Sequence, residues 1–124
     1  MDAVRDAWST ELDGLLSPRL AAEQLGIEEL ALRAAATTGE IIELVTAGGD
    51  RVYPGFQFRH GWPPAALVDA WRLIADASDP WTAASWAATP DEALDGRRPA
   101  DCARGTEAAR MLKIARQDAA RLAA

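Results

Sequence analysis

Apolar residues recur at helical spacing from the start of the chain. Val4, Trp8, Leu12 and Leu15 share one face while Asp6, Glu11 and Asp13 fall on others, so the spacing predicts an amphipathic helix. Ser17 followed by Pro18 is an N-cap with proline in the first turn. Leu20, Ala21 and Leu25 then supply an apolar stripe that Gly26 ends. A second short helix is expected from about Glu28 to Ala36, with Leu30 and Ala34, and Ala31 and Ala35, at i, i+4 spacing.

The run from Ser17 to Ile27 has the form of the first helix and glycine-containing turn of a helix-turn-helix, with Ala21 and Ala22 small enough for close helix packing. The period then changes. Ile41 to Thr46 is β-branched and apolar and predicts a strand, Gly48-Gly49-Asp50 a turn, and Arg51-Val52-Tyr53 a returning strand, a hairpin that would make a small wing. Pro54-Gly55 ends it, and the cluster of Gly61, Pro63 and Pro64 marks the boundary between a first domain, residues 1–60, and a second, residues 61–124.

Beyond the boundary the pattern is helical again. Leu67, Val68, Trp71, Leu73, Ile74 and Ala75 form a broad apolar face, and Asp79-Pro80 caps a further helix that carries Trp81, Ala84 and Trp86 until Thr89-Pro90 breaks it. Trp71, Trp81 and Trp86 are expected in the core, as large aromatics at helical spacing usually are. Leu94-Asp95-Gly96-Arg97-Arg98-Pro99 reads as a turn opening a short helix that ends at Gly105. A last helix from Thr106 follows, with Ala108, Leu112, Ala115, Ala119 and Leu122 along one face. The fold class expected is mainly α: a helix-turn-helix with a small β-hairpin wing, then a helical domain.

Composition narrows the class. Of 124 residues 49% are hydrophobic and 26% charged, ordinary for a folded domain and too apolar for disorder. No apolar run approaches the roughly 20 residues that span a bilayer, and Asp2 and Asp6 beside Arg5 do not make a signal peptide, so a cytoplasmic protein is expected. The net charge of −6 is unevenly spread: residues 1–96 hold 6 basic and 16 acidic residues, residues 97–124 hold 7 and 3. Such polarity along a chain marks different surroundings for its two ends.

The features Tyr53-Pro54-Gly55-Phe56-Gln57-Phe58, Asp79-Pro80-Trp81, Trp86, Thr89-Pro90, Leu94-Asp95-Gly96-Arg97, Pro99 and a closing amphipathic helix follow one another in order. In that order they resemble the antitoxins of the Xre/MbcA/ParS class, most strongly from Tyr53 to about Ile114. The resemblance implies a toxin-binding domain that pairs with a RES-domain toxin, a class that degrades NAD, and covers its NAD pocket. It also implies an amino-terminal domain that binds operator DNA, often together with the toxin, in a homodimer or a hetero-oligomer. No enzymatic duty and no cofactor are implied.

Carried onto this chain, the toxin contact falls on the Leu94 to Pro99 turn and the last helix. Arg97, Arg98, Arg104, Arg110, Lys113 and Arg116 form the basic concentration there. Arginine suits interfaces through bidentate contacts with carboxylates, although cations late in a helix also complement its dipole and often face water. For DNA the available cations are Arg19, Arg33 and Arg51, with Arg51 expected at the wing tip and best placed. Residues 1–50 nevertheless carry 3 basic against 10 acidic residues, a surface that repels phosphate, so weak operator binding by the chain alone is expected. A free-standing helix-turn-helix regulator is the alternative reading.

Other chemistry has little footing. The lone His60 and single Cys102 offer no metal-ligand spacing and no internal disulfide; a loop histidine and a small buried hydrophobe are the expectations. Ser17, Ser78 and Ser85 lack a nucleophile-elbow setting, Gly48-Gly49 is not followed by Gly-Lys-Ser/Thr, and Asp91-Glu92 read as turn-capping carboxylates.

Overall fold

A computed structural model describes residues 8–124. The protein is mainly helical with a small three-stranded antiparallel sheet. The chain divides into two compact units between Pro63 and Pro64.

In the first unit residues 8–11 are helical. Val4 and the charged Asp2, Arg5 and Asp6 lie outside the described residues. The helix expected to continue through Leu15 stops short: Asp13 and Gly14 take positive φ values of 60° and 100°, and Leu15–Leu16 becomes a strand, β1. Leu12 and Leu15 fit a helical period by number alone. Glycine with a neighbouring aspartate makes the left-handed break cheap. The first helix of the pair, α1 (Pro18–Leu25), is built as its caps dictate. The Ser17 hydroxyl accepts the Leu20 N–H at 3.2 Å, and past Gly26, at φ 68°, the Ile27 N–H returns to the Ala22 carbonyl at 3.0 Å.

Helix α2 (Glu29–Thr37) turns a different face inward from the one its alanine pairs suggest. Leu32 and Ala35 are buried with Ala21, Ala22, Ile41, Tyr53 and Phe58, whereas Leu30 is 82% exposed. Alanines on every side of this helix gave the i, i+4 pattern little power to choose a face.

Strand β2 is only Leu44–Val45, shorter than the expected Ile41–Thr46, and it pairs with β3 (Arg51–Pro54) in the predicted hairpin. Leu15 pairs with Pro54 and Leu16 with Tyr53, so β3 is central and the sheet order is β1-β3-β2. Ile41 and Ile42 are buried outside the ladder. Gln57, in a 3₁₀ turn over Gly55–Phe58, takes the place of a strand for Ile42: its Oε1 accepts the Ile42 N–H at 2.8 Å, and its Nε2 donates to the Ile42 carbonyl at 2.8 Å and to the Pro54 carbonyl at 3.2 Å. At Gly55 the chain passes so close to the Asp13 carbonyl that any Cβ would collide with backbone.

The second unit is helical. Helix α3 (Ala65–Ala77) packs against α4 (Pro80–Ala88) and α5 (Glu107–Ala123). Asp79 caps α4 as expected, accepting the Thr82 N–H at 2.9 Å and its hydroxyl at 2.6 Å; these bonds hold the carboxyl below its ordinary pKa. The core is formed by Leu67, Val68, Ala70 and Ile74 of α3, four alanines of α4 at 83, 84, 87 and 88, Leu94 from the connecting turn, and Met111, Ile114 and Ala115 of α5.

The tryptophans stand at the edge of this core rather than in it. Trp71, Trp81 and Trp86 are half-buried. The Trp71 indole N–H donates to the Pro80 carbonyl at 3.1 Å and that of Trp86 to Asp118 at 2.8 Å. Alanines let α4 lie close to its neighbours, which leaves no room between helices for an indole. The last helix is likewise rotated from the expected stripe: Met111, Ile114 and Ala115 are buried, Leu112 is half-buried and Leu122 is 49% exposed. The short helix expected before Gly105 is a 3₁₀ turn, Pro99–Cys102. Cys102 is buried, and burial raises its thiol pKa; His60 is exposed. No helix among the described residues is long and apolar enough to cross a membrane.

Candidate protein-interaction surface

The turn from Asp91 to Arg97 is a closed structure. The Asp91 carboxylate accepts the Ala93 N–H at 2.9 Å, a 3₁₀ turn runs over Glu92–Leu94, and Asp95 and Gly96 take left-handed conformations, φ 59° and 80°. The chain thereby returns so that the Asp91 N–H reaches the Arg97 carbonyl at 3.1 Å. The Asp-Gly pair tolerates positive φ, which is why the reversal occurs there.

Two ion pairs of opposite polarity clasp this turn to α5. Arg97 reaches Glu107 at 3.0 Å while its Nε donates to the Leu94 carbonyl at 3.2 Å; Arg110 reaches back to Asp95 at 3.4 Å. Glu107 and Arg110 stand one turn apart on α5, so the turn and the helix start are cross-linked through neighbouring positions. Both pairs face water, and each contributes at most about 1 kcal/mol. Their effect is to orient the turn. Arg98 makes a two-pronged contact with Asp101, at 2.9 and 3.2 Å, against the adjacent 3₁₀ turn.

The six cations singled out in the sequence therefore do not form one surface of like function. Arg97, Arg98 and Arg110 are committed to carboxylates of their own unit, and Arg104, though exposed, is also engaged. Lys113 and Arg116 are exposed on α5 with no ion pair among the described residues. They lie one turn apart, in a stripe bounded by the exposed Ala109 and Ala120, on the side of α5 opposite Met111, Ile114 and Asp118.

Of the three cations considered for DNA, Arg33 and Arg51 both act electrostatically on Tyr53. Arg19 is exposed in the first turn of α1 and Arg33 on α2. Arg51 is not at the hairpin tip but opposite Val45 in the ladder, where it pairs with Glu43 at 3.4 Å. Glu43 in turn accepts the Tyr53 hydroxyl at 2.6 Å. Burial and that bond push the Tyr53 pKa well above its ordinary value. The outward side of α2 carries Leu30, Ala34 and Thr37, with Glu28 and Glu29 at its start. It offers phosphate little beyond Arg33.

Nothing in the sequence marked Gln57 or the Trp86–Asp118 bond as polar anchors. A glutamine between two phenylalanines and an aspartate in a charged helix carry no spacing signal; the partners lie 15 and 32 residues away. Comparison with protein-family models, curated proteins and solved structures finds no match to this chain.

Proposed function

We propose that the protein is an antitoxin of a type II toxin–antitoxin system, which neutralises a RES-type NAD-degrading toxin by binding it through residues 61–124 and blocking its NAD pocket. The ordered motifs from Tyr53 to Ile114 are the ground for this reading. The observation that carries it furthest is the clasped turn. The Leu94 to Arg97 reversal, part of the resemblance, closes on itself through the Asp91–Arg97 backbone bond and is oriented against α5 by two charge pairs. Rigid elements bind with less ordering cost than mobile ones. On this reading Arg97, Arg98 and Arg110 shape the binding element, and Lys113 and Arg116 meet the partner. The protein acts in the cytoplasm, where its target would deplete NAD, and is not itself an enzyme.

The test is co-expression with a RES-domain toxin, sought first in the adjacent gene. The full chain restores growth and cellular NAD, and a Lys113→Glu/Arg116→Glu chain, folded by circular dichroism, does not. Failure of the unaltered chain to restore either overturns the proposal. Truncation before Thr106 is the wrong probe, because α5 supplies Met111, Ile114 and Ala115 to the core and its loss unfolds the unit.

A second reading, a free-standing helix-turn-helix regulator, is favoured by one observation. Helices α1 and α2 meet through a left-handed glycine turn and are followed by a hairpin whose β3 also pairs with the preceding β1, an arrangement suited to a winged helix. The acidic surface argues against strong DNA contact. Tight, salt-resistant operator binding by the protein alone would favour this second reading; repression that needs the toxin to add valency favours the first.

A further inference from the structure

Of the 13 lysine and arginine residues in the sequence, Lys113 is the one lysine. The difference is chemical. A guanidinium stays protonated in proteins, whereas an ammonium that loses its proton presents an amine lone pair able to attack an acyl donor. The chain therefore has a single side chain whose positive charge an acyl group can remove, and the fold leaves it in the open. Lys113 is exposed near the middle of α5, with no ion pair among the described residues.

Its neighbours along that side of the helix are cations. Arg110 precedes it and Arg116 follows it by three residues, so each guanidinium stems from a position about 4.5 Å away along the helix axis. Arg116 is exposed and without an ion pair among the described residues, and Arg110 reaches Asp95 at 3.4 Å from an exposed position. The carboxylates of the same helix are held elsewhere: Glu107 by Arg97 at 3.0 Å, and Asp118 by the Trp86 indole at 2.8 Å and by Arg121. A negatively charged reagent approaching α5 is thus drawn toward the amine from both sides. Acyl phosphates and acyl-CoA thioesters are such reagents, since both carry phosphate.

We propose that Lys113 is an acylation site, modified by an acyl phosphate or an acyl-CoA thioester that Arg110 and Arg116 attract. The neutral amine attacks the carbonyl carbon and an amide C–N bond forms. The C–O bond of the acyl phosphate, or the C–S bond of the thioester, breaks, and its electron pair leaves with phosphate or thiolate. The proton shed by the amine passes to water, and nothing is oxidised or reduced. The product is neutral, so the pair Lys113 and Arg116 falls from two charges to one. The modification itself does not depend on the antitoxin reading. Its consequence rests on that reading: acylation weakens the contact with the toxin and lowers neutralisation without unfolding the chain.

Mass spectrometry of the full chain, incubated separately with acetyl phosphate and with acetyl-CoA, tests the site. Each donor places one side-chain acetyl group on the peptide that holds Lys113, and the faster donor is the source the site uses. Initial rates carry the decision. Arg116→Gln, folded by circular dichroism, slows acetylation by the anionic donors about threefold at low salt, and about 0.5 M salt removes the difference. With the uncharged donor p-nitrophenyl acetate the two chains react alike. An Arg116→Gln chain that reacts with the anionic donors at the unaltered rate, or a Lys113 no more reactive toward them than free Nα-acetyl-lysine, overturns the proposal. Two further chains test the consequence: Lys113→Gln copies the neutral product, and Lys113→Arg keeps the charge but cannot be acylated. The glutamine chain binds a RES-domain toxin about fivefold more weakly, while the arginine chain binds like the unaltered one and ignores acetyl phosphate. Equal binding by the glutamine chain overturns the switch. No binding by the unaltered chain overturns the antitoxin reading and the switch with it, while the acetylation rates still decide the site.

Discussion

The two halves of this molecule satisfy buried polar backbone in opposite ways. In residues 8–63 short strands leave buried chain outside the ladder, and one fully buried side chain, Gln57, supplies three hydrogen bonds that a longer sheet would have made itself. Residues 64–124 are helical, so their backbone is satisfied locally, and no buried polar side chain appears among them. Their polar anchors sit at the edge instead: Trp86 on Asp118, Arg97 on Glu107, Arg110 on Asp95. A small sheet concentrates its dependence in one residue; a helical unit spreads it over packing and several weak surface contacts.

The largest expected difference follows from Gln57→Leu. It strands the Ile42 N–H and carbonyl and the Pro54 carbonyl in a dry core, a loss of about 3–5 kcal/mol from three unsatisfied groups. Chemical denaturation monitored by hydrogen exchange is expected to show the amides of residues 8–63 exchanging early while those of 64–124 stay protected; uniform loss of protection would break the contrast. Met111→Ala opens a cavity between the helices of the second unit at about 2–4 kcal/mol, with the converse exchange pattern. Trp86→Phe keeps an aromatic ring of smaller size and removes the indole N–H that donates to Asp118. It should cost about 1–2 kcal/mol, read as a lower denaturation midpoint with unchanged slope.

The smallest effect is on pH. The Asp79 carboxyl, held below its ordinary pKa by Thr82, adds stability that is fully present above the unfolded pKa of about 3.9 and is lost as pH falls through the lower folded value. Asp79→Asn should flatten the acid limb of the stability profile of the second unit and leave that of the first unchanged.

Legibility followed the range of the interactions. The Ser17-Pro18 and Asp79-Pro80 helix starts, the Gly26 stop and the hairpin about Gly48-Gly49 were all readable, since each is decided by residues within one turn of the chain. Strand β1 was not, because Leu15–Leu16 is extended only by virtue of its pairing with β3, some forty residues on. The inward faces of α2 and α5 are not legible in the sequence, because alanine, acceptable in or out, carries their pattern. Of the candidate contact residues, the clustering of Arg97 to Arg116 was visible, but not that Arg97, Arg98 and Arg110 have carboxylates of their own while Lys113 and Arg116 do not.

What the sequence alone determined, then, is the order of helices and turns and the division of charge along the chain, because caps, prolines, glycines and ionised groups act where they stand. Which side of each helix faces inward, which strand completes the sheet and which cations remain open to a partner were decided by tertiary structure. Each of those outcomes depends on atoms that are distant in sequence and become neighbours only when the apolar surfaces close.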